Sequence, residues 1–289
     1  MPKLLIFGLG YVGRAVARAA IRAGFSVVAT VRAAADMTGE PPDMALIAPE
    51  RAPAVIPAVT HLLVTAAPDG SGDPLLALPG AAAAIAASPI AWIGYLSTTG
   101  VYGDRAGGWV NESTPPEPAS ARSRRRLAAE QGWRAFAAGR AVDLFRLGGI
   151  YGPGRSALEE VRAGRARRIV RPGHCFSRIH RADIVRAVLA AMTQAPRACV
   201  RVLNLVDDEP AEPARVTEEA ARLLGLAPPP ELPFEAAFAA MSPMARSFWA
   251  ENRKVANAAT KAALGLGWRY PTYREGLRAI LQEGRQGGL

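Results

Sequence analysis

Three glycines near the start of the chain have a spacing that can hold a phosphate group. The pattern G-x-G-x-x-G covers residues 8–13 and follows the apolar run "LLIF". Glycines so spaced let the backbone turn tightly and approach a pyrophosphate, whose charge then lies at the N-terminus of the next helix. We expect a dinucleotide to contact Gly8, Gly10, Tyr11, Val12 and Gly13. The alternative is a glycine turn of purely structural purpose.

The end of the second apolar run bears on which dinucleotide binds. After "FSVVAT" the acidic residue that would bind a ribose 2′-hydroxyl is missing, and Val31 and Arg32 stand in its place. Because an arginine suits a 2′-phosphate, the sequence predicts NADP(H) over NAD(H). Alternatively Arg32 is a solvated loop residue. Asp36 is too far along to serve as the ribose carboxylate.

The elements that must position these residues follow from the apolar runs of the first half. "KLLIFG", "FSVVAT", "HLLVTAA", "AWIGYLST" and "VDLFRL" alternate with alanine-rich stretches. Continuous apolar runs are typical of strands buried on both faces, and their alternation with helices predicts crossover connections. We expect an α/β fold, a Rossmann-type doubly wound parallel sheet with a smaller C-terminal substrate lobe.

The alternation of apolar runs and helical stretches is interrupted near Tyr151, where "YGPGRS" is typical of a loop. A helical stretch and a short extended piece follow, and "HRADIVRAVLAAM" and "RVLNLV" then resume the earlier helix and strand pattern. Proline density rises from Asp207 onward. We predict a dinucleotide-binding domain over 1–150, with 175–206 returning to it, and a smaller substrate-binding lobe over 151–289.

The positive charge of the chain comes almost entirely from arginine. The formal net charge is +10, and the lysines are Lys3, Lys254 and Lys261. Scattered arginine coats a solvated surface or meets phosphate-bearing small molecules, whereas a nucleic-acid tail shows a contiguous basic block. This argues against nucleic acid as the main partner.

The two cysteines, Cys175 and Cys199, lack the spacing of a metal set. With no export signal, they suggest a reducing interior, and we expect a cytoplasmic protein. The apolar run at the start is too short to span a bilayer, so no membrane partner is expected.

"YLSTTGVYGD" resembles the short-chain dehydrogenase/reductase superfamily, specifically the extended and atypical branches with the NAD-dependent epimerase/dehydratase family. The likeness continues through "LFRLGGIYGPGRS", "FSRIHRADIVRAV", "LNLVDDEPA" and "RKVANAATKAALGLGW" and covers nearly the whole chain. It implies a hydroxyl side chain at Thr98 that orients the reacting oxygen. Many relatives pair as homodimers through helices in residues 80–140.

The resemblance also implies a catalytic Y-x-x-x-K pair, which this chain lacks. Glu130 of "SARSRRRLAAE" sets the register, so that Arg122 takes the tyrosine position and Arg126 the lysine position. Arg126 still offers hydrogen bonds to a ribose or phosphate, but a guanidinium is useless as a proton donor near neutrality. Arg124 and Arg125 lie at other angles of the helix and are expected to be solvated.

Other proton partners can be considered in place of the missing tyrosine. Tyr102 and Tyr95 lie in the right strand region, but Tyr102 in "VYG" usually has a structural role in relatives. His180 precedes a helix that Asp183 can cap, and the alternatives for it are a titrating residue and a satisfied structural histidine.

Ligands in this fold bind outside the carboxyl ends of the strands. The resemblance places the following residues near the cofactor: Ala66, Ala67, Pro68, Thr98, Thr99, and Tyr151 with Gly152 of "GGIYGPG". It brings Arg178, Arg246 and Arg253 near a substrate diphosphate, which implies an anionic, phosphorylated or nucleotide-linked substrate. Ordinary surface arginines are the alternative.

Three functions remain open at this point. The first is an NADP(H)-dependent oxidoreductase or epimerase acting on a small sugar-like substrate. The second is a catalytically inactive NADP(H)-binding regulator or sensor, because both members of the catalytic pair are gone. The third is a nucleic-acid binder, for which the sequence offers charge but no aromatic platform.

Overall fold

The computed structural model describes residues 1–32, 41, 43–194 and 198–286. Its strands are β1 Lys3–Phe7, β2 Ser26–Thr30, β3 Met44–Ile47, β4 His61–Val64, β5 Trp92–Thr98, β6 Trp109–Val110, β7 Ala141–Leu147, β8 Gly149–Tyr151, β9 Arg168–Val170, β10 Arg178–His180, β11 Cys199–Leu205, β12 Glu231–Pro233 and β13 Lys254–Val255. Its α-helices are α1 Tyr11–Arg22, α2 Ala52–Val55, α3 Ala81–Ala86, α4 Ala121–Arg134, α5 Ala157–Arg162, α6 Arg181–Thr193, α7 Pro213–Leu224, α8 Phe234–Ala239, α9 Pro243–Trp249, α10 Ala258–Leu264 and α11 Tyr273–Gln286.

Seven strands form the main sheet in the order β11-β7-β5-β4-β1-β2-β3. The pairings that join β3, β2, β1, β4 and β5 are all parallel. The chain builds outward from β1 to β3 and then returns to the other side of β1 with β4, which is the reversal of a doubly wound sheet. The predicted fold class is confirmed. The short strand β3 at the edge of this sheet was not predicted from the sequence.

Burial on both faces explains why the central strands are continuously apolar. Leu4, Leu5 and Ile6 of β1 are fully buried, and so are Leu62, Leu63 and Val64 of β4. Parallel strands covered by helices on each face have no solvated side on which polar residues could alternate. The five apolar runs of the first half all became strands of this sheet.

The chain divides into two compact units. The first unit comprises 1–101, 121–146 and 184–203, and the second comprises 102–120, 147–183 and 204–289. Residues 102–120 belong to the second unit, where β6 pairs with β13. The strand β10 pairs with β8 in the same unit.

No helix in the described ranges is both long and apolar enough to cross a membrane.

Candidate dinucleotide site

Two glycines of the loop between β1 and α1 occupy positions that a side chain cannot share. Gly8 has φ +107°, and a Cβ there would lie 2.8 Å from Thr65 Oγ1. A Cβ on Gly13 would lie 2.5 Å from the carbonyl oxygen of Gly8, closer than real Cβ contacts come. The Gly8 N–H donates to Thr30 Oγ1 at 2.9 Å, which ties the loop to the end of β2. These contacts hold the start of α1 tightly against the sheet.

Gly10, unlike Gly8 and Gly13, has open space on the side where a Cβ would lie. A Cβ on it would meet nothing within 4 Å. Gly10 is the N-cap of α1, and no side chain caps the helix and no acidic residue lies in its first turn. The partial positive charge of the helix N-terminus therefore faces an open space with no anionic group of the helix to balance it. This cradle fits a pyrophosphate. Tyr11 is half-buried there and Val12 is buried.

The other predicted cofactor residues of the first unit follow the strands beside β1. Arg32 is exposed just after β2, beyond Val31, whose N–H donates to the Ile47 carbonyl at 3.0 Å. After β4, Ala66 and Pro68 are half-buried and Ala67 is exposed. Because β2, β1 and β4 are parallel neighbours, these residues share the carboxyl edge with the glycine loop. Asp36 lies outside the described residues.

Thr98 ends β5 and forms a tight turn against α4. Its Oγ1 accepts a hydrogen bond from the Gly100 N–H at 3.1 Å. A Cβ on Gly100 would lie 2.8 Å from Ser123 Oγ and 3.4 Å from Thr98 Oγ1, so the first turn of α4 packs closely against this turn. Sequence reasoning overlooked Ser123, a buried hydroxyl that lies beside the Arg122 position. The signal for it was the one hydroxyl inside the arginine run of α4.

Arg126 reaches from α4 back to β5. Its Nη1 donates to Tyr95 Oη at 3.1 Å and to the Leu96 carbonyl at 2.9 Å. Burial raises the pKa of the Tyr95 hydroxyl, and the nearby Arg126 charge opposes that rise. Tyr95 is fully buried, so its hydroxyl is not presented to a ligand in place of the missing tyrosine.

A buried ion pair anchors α4 one turn further along. Arg146 donates to both carboxylate oxygens of Glu130, at 3.1 Å from Nε and 2.7 Å from Nη2. Ser97 Oγ donates to the same carboxylate at 2.5 Å. The helix that carries the Arg122 and Arg126 positions is thus held by a complete polar network. Arg122, Arg124 and Arg125 are exposed.

Tyr102 lies in the second unit and is fully buried. Its hydroxyl donates to Asn204 Oδ1 at 2.8 Å, and Asn204 Nδ2 donates in turn to the Ala256 carbonyl at 3.0 Å. This placement favours the structural alternative for Tyr102.

Tyr151 and His180 pack together in the core of the second unit. Their rings meet edge to face at 5.2 Å, and the Tyr151 hydroxyl donates to the Thr272 carbonyl at 3.4 Å. His180 Nδ1 accepts from the Ala182 N–H at 3.1 Å, and burial lowers the pKa of His180 to about 4. The ring is uncharged near neutrality, which favours the structural alternative for His180. Gly152 is buried beside Tyr151.

The three arginines predicted to meet a substrate all bind groups of their own chain. Their acceptors are the Phe176 and Ala211 carbonyls for Arg178, at 2.8 and 2.9 Å, the Phe238 and Ala239 carbonyls for Arg246, at 3.1 and 2.9 Å, and the Gly103 carbonyl and Glu251 carboxylate for Arg253, at 2.8 and 2.7 Å. These contacts tie the three arginines to loops of the second unit, and their contact with a substrate stays a prediction. The described residues also contain no cluster of His, Cys, Asp or Glu that could hold a metal ion.

Solved structures resemble this chain over nearly its full length. A functionally unknown conserved protein from Silicibacter pomeroyi DSS is 42% identical, with a TM-score of 0.90 over 98% of this chain and 99% of the other. MoeE5, solved in complex with UDP-glucuronic acid and NAD, is 21% identical, with a TM-score of 0.76 over 99% of each chain. No family model matches the chain.

Two curated relatives match over part of their length. Protein YeeZ of Escherichia coli K12 is 37% identical over 140 residues, 47% of this chain and 47% of its own length. The 3-diazoavenalumate denitrifying reductase of a Streptomyces species is 31% identical over 145 residues, 46% of this chain and 45% of that protein. The match thus spans about half the length of each curated relative.

Proposed function

We propose that this chain binds a nicotinamide dinucleotide and acts as an oxidoreductase or epimerase. The premise is that the chain belongs to the same family as the conserved Silicibacter pomeroyi protein and has the fold of a NAD-dependent epimerase/dehydratase. The observation that carries the proposal is the glycine loop. Gly8 and Gly13 exclude side chains, while Gly10 leaves an uncapped helix N-terminus open to an anion.

NADP(H) is the dinucleotide that we propose, in preference to NAD(H). Arg32 is exposed at the end of β2, where the side chain that contacts the adenosine ribose is found in this fold. Its guanidinium can pair with a 2′-phosphate, and the preceding residue, Val31, is not an acidic residue that would repel that phosphate. MoeE5 was solved with NAD, so the proposed preference for NADP(H) would distinguish this chain from MoeE5.

The residues of the first unit would divide the work as follows. Gly8 to Gly13 hold the pyrophosphate, and Thr98 orients the reacting oxygen of the substrate from the end of β5. Arg126 would hold the nicotinamide ribose with Nε or Nη2, because its Nη1 donates hydrogen bonds to Tyr95 Oη and the Leu96 carbonyl. A bound nicotinamide would supply or accept the hydride. We propose a small, nucleotide-linked or phosphorylated substrate, since MoeE5 was solved with UDP-glucuronic acid.

A second function is an NADP(H)-binding sensor without turnover. The observation that favours it is the α4 helix, where Arg122 and Arg126 occupy the Tyr and Lys positions while Glu130 and Arg146 keep the helix in place. A helix that keeps its anchor but lacks its proton donor is what relaxed catalytic demand would leave.

Parallel calorimetric titrations of the apo protein with NADP(H) and NAD(H) test the cofactor. We expect tight NADP(H) binding and weaker NAD(H) binding, and binding of neither would refute the proposal. Turnover is tested by NADPH oxidation with a panel of carbonyl compounds and nucleotide sugars. Activity gained only by the double variant Arg122→Tyr with Arg126→Lys would assign the wild type to the sensor function.

A further inference from the structure

A cavity of about 280 Å³ lies within the second unit, apart from every residue assigned above to the cofactor. Three segments line it, around Asp104, from Arg171 to His174, and from Trp249 to Asn252. Its volume corresponds to about nine molecules of liquid water, enough for a single ring or a small acid but too small for a whole nucleotide sugar.

Arg171 brings a permanent positive charge to this cavity. Its Nη1 donates to the Trp249 carbonyl at 2.7 Å, and its guanidinium carbon lies 4.1 Å from the centroid of the Phe234 ring. Within the described part of the chain, no carboxylate lies at salt-bridge distance from this guanidinium. The half-buried charge is thus held in a defined orientation by a carbonyl and an aromatic face, neither of which neutralises it.

His174 adds a buried polar atom that has no partner. The side chain is 2% exposed, and its Nε2 makes no hydrogen bond. The ring stacks on Trp249 with centroids 5.1 Å apart and meets Phe176 edge to face. Burial, with a contribution from Arg171, lowers the pKa of His174 to about 4, so the ring is neutral at physiological pH.

The remaining charges near the cavity are already compensated. Asp104 Oδ1 accepts from the Asn252 N–H at 2.7 Å and the Ala106 N–H at 3.2 Å, and these bonds lower the pKa of Asp104. Arg253 pairs with Glu251 at 2.7 Å. Arg171 is therefore the charge in this group whose natural complement is an anion.

We propose that this cavity binds the oxyanion of a small ligand, a carboxylate or phosphate group that pairs with the Arg171 guanidinium beside the neutral ring of His174. Arg171 suits either group, because its planar N–H fork matches two oxygens at once. Asp104, whose carboxylate also lines the cavity, favours a ligand with a hydroxyl donor beside the oxyanion. That this ligand is the substrate rests on the proposed function, whereas its binding does not.

The binding test uses the full-length protein without dinucleotide. Inorganic phosphate, glucose 1-phosphate and glucuronate are titrated by calorimetry, with glucose as the neutral control. We expect saturable binding of at least one oxyanion and no binding of glucose. Whether the phosphate compounds or glucuronate bind more tightly shows which group the site prefers. Absence of saturation by all three oxyanions at millimolar concentration would overturn the proposal.

Matched variants locate the site. Arg171→Gln should weaken binding at least tenfold, while Arg167→Gln, which removes the same charge from an exposed position in the same unit, should leave it unchanged. Equal affinities of these two variants would show that only diffuse charge is involved, which refutes the assignment. Where Arg171→Gln does not fold, Arg171→Lys carries the test, because lysine keeps the charge but loses the planar fork, and it should bind the oxyanion measurably but more weakly than the wild type.

The fluorescence of Trp249 gives a second readout. Ligand binding should change the tryptophan emission of the wild type and not that of Trp249→Phe, with melting curves to show that the variant is folded. Oxyanion binding without dinucleotide binding would refute the proposed function and leave this site standing. Dinucleotide binding without oxyanion binding would refute this site and leave the proposed function standing.

Discussion

Replacement of Gly10 by aspartate tests the dinucleotide site without disturbing the fold. Gly10 has φ −87° and ψ −162°, an extended conformation open to any residue, and a Cβ there has space. Aspartate is a preferred N-cap residue, so its carboxylate should accept the N–H groups at the start of α1 and stabilise the protein by a few tenths of a kcal/mol. The same carboxylate occupies the place that the pyrophosphate needs.

The expected loss of affinity follows from Coulomb's law. Two unit charges about 4 Å apart repel by roughly 1 kcal/mol in water and roughly 4 kcal/mol at the effective dielectric constant near a protein surface. Because each 1.4 kcal/mol is tenfold in affinity, one phosphate charge alone should weaken binding by about fivefold to a thousandfold. The helix N–H groups lost to the carboxylate add to this.

The assay is a calorimetric titration with NADP(H), together with a thermal melt of each variant. Gly10→Asn is the matched control, since asparagine also caps the helix and has nearly the shape of aspartate but carries no charge. The prediction is that Asp weakens binding much more than Asn, while both melt at or above the wild-type temperature. Wild-type affinity in Gly10→Asp would refute the placement of an anion at the start of α1.

Three further predictions concern other residues. Arg32→Gln should weaken NADP(H) binding about 10- to 100-fold, the value of one charge-assisted hydrogen bond, while NAD(H) affinity in parallel titrations stays within a few-fold. Arg146→Met, which leaves the Glu130 carboxylate buried without its partner, should cost about 3–5 kcal/mol in urea unfolding, and adding Glu130→Leu should restore most of the loss. The free energy of unfolding should fall as the pH is lowered from 6.5 to about 4. In this range His174 and His180 are protonated in the unfolded chain, whereas in the folded chain their pKa is lowered to about 4 and they stay neutral. Urea titrations of His180→Phe across that range should show a shallower fall, and an equal slope would contradict the buried neutral state of His180.

The sheet was predictable because its signals are local. Each central strand is a continuous apolar run, and the glycine pattern lies at a fixed distance from the first of them. The second unit was harder because its short strands pair across long stretches of chain. Trp109 pairs with Lys254, and a two-residue strand leaves no periodic pattern for its partner to be recognised.

Arginine roles were the least predictable part of the site. Arg178, Arg246 and Arg253 find backbone carbonyls that loop geometry supplies, and a carbonyl acceptor leaves no trace in the sequence. Arg171 was overlooked for the same reason, because its acceptor is also a backbone carbonyl. It ends a run of arginines after α5, and only the folded chain brings the Trp249 carbonyl to it.

The geometry of Arg126 limits how far it can replace the lysine that the resemblance to short-chain dehydrogenase/reductases implies at this position. Each terminal nitrogen of a guanidinium carries two hydrogens, and both hydrogens of Nη1 are engaged, by Tyr95 and by the Leu96 carbonyl. Any ribose contact must therefore come from Nη2 or Nε, with the fork oriented by β5. A lysine turns its ammonium toward whichever acceptor is present, whereas this guanidinium is aligned before a ligand arrives. Such an arrangement can hold a ribose in one position. It has no proton donor whose pKa it could lower, because position 122 of the helix is an arginine. The proton for any turnover must therefore come from another group.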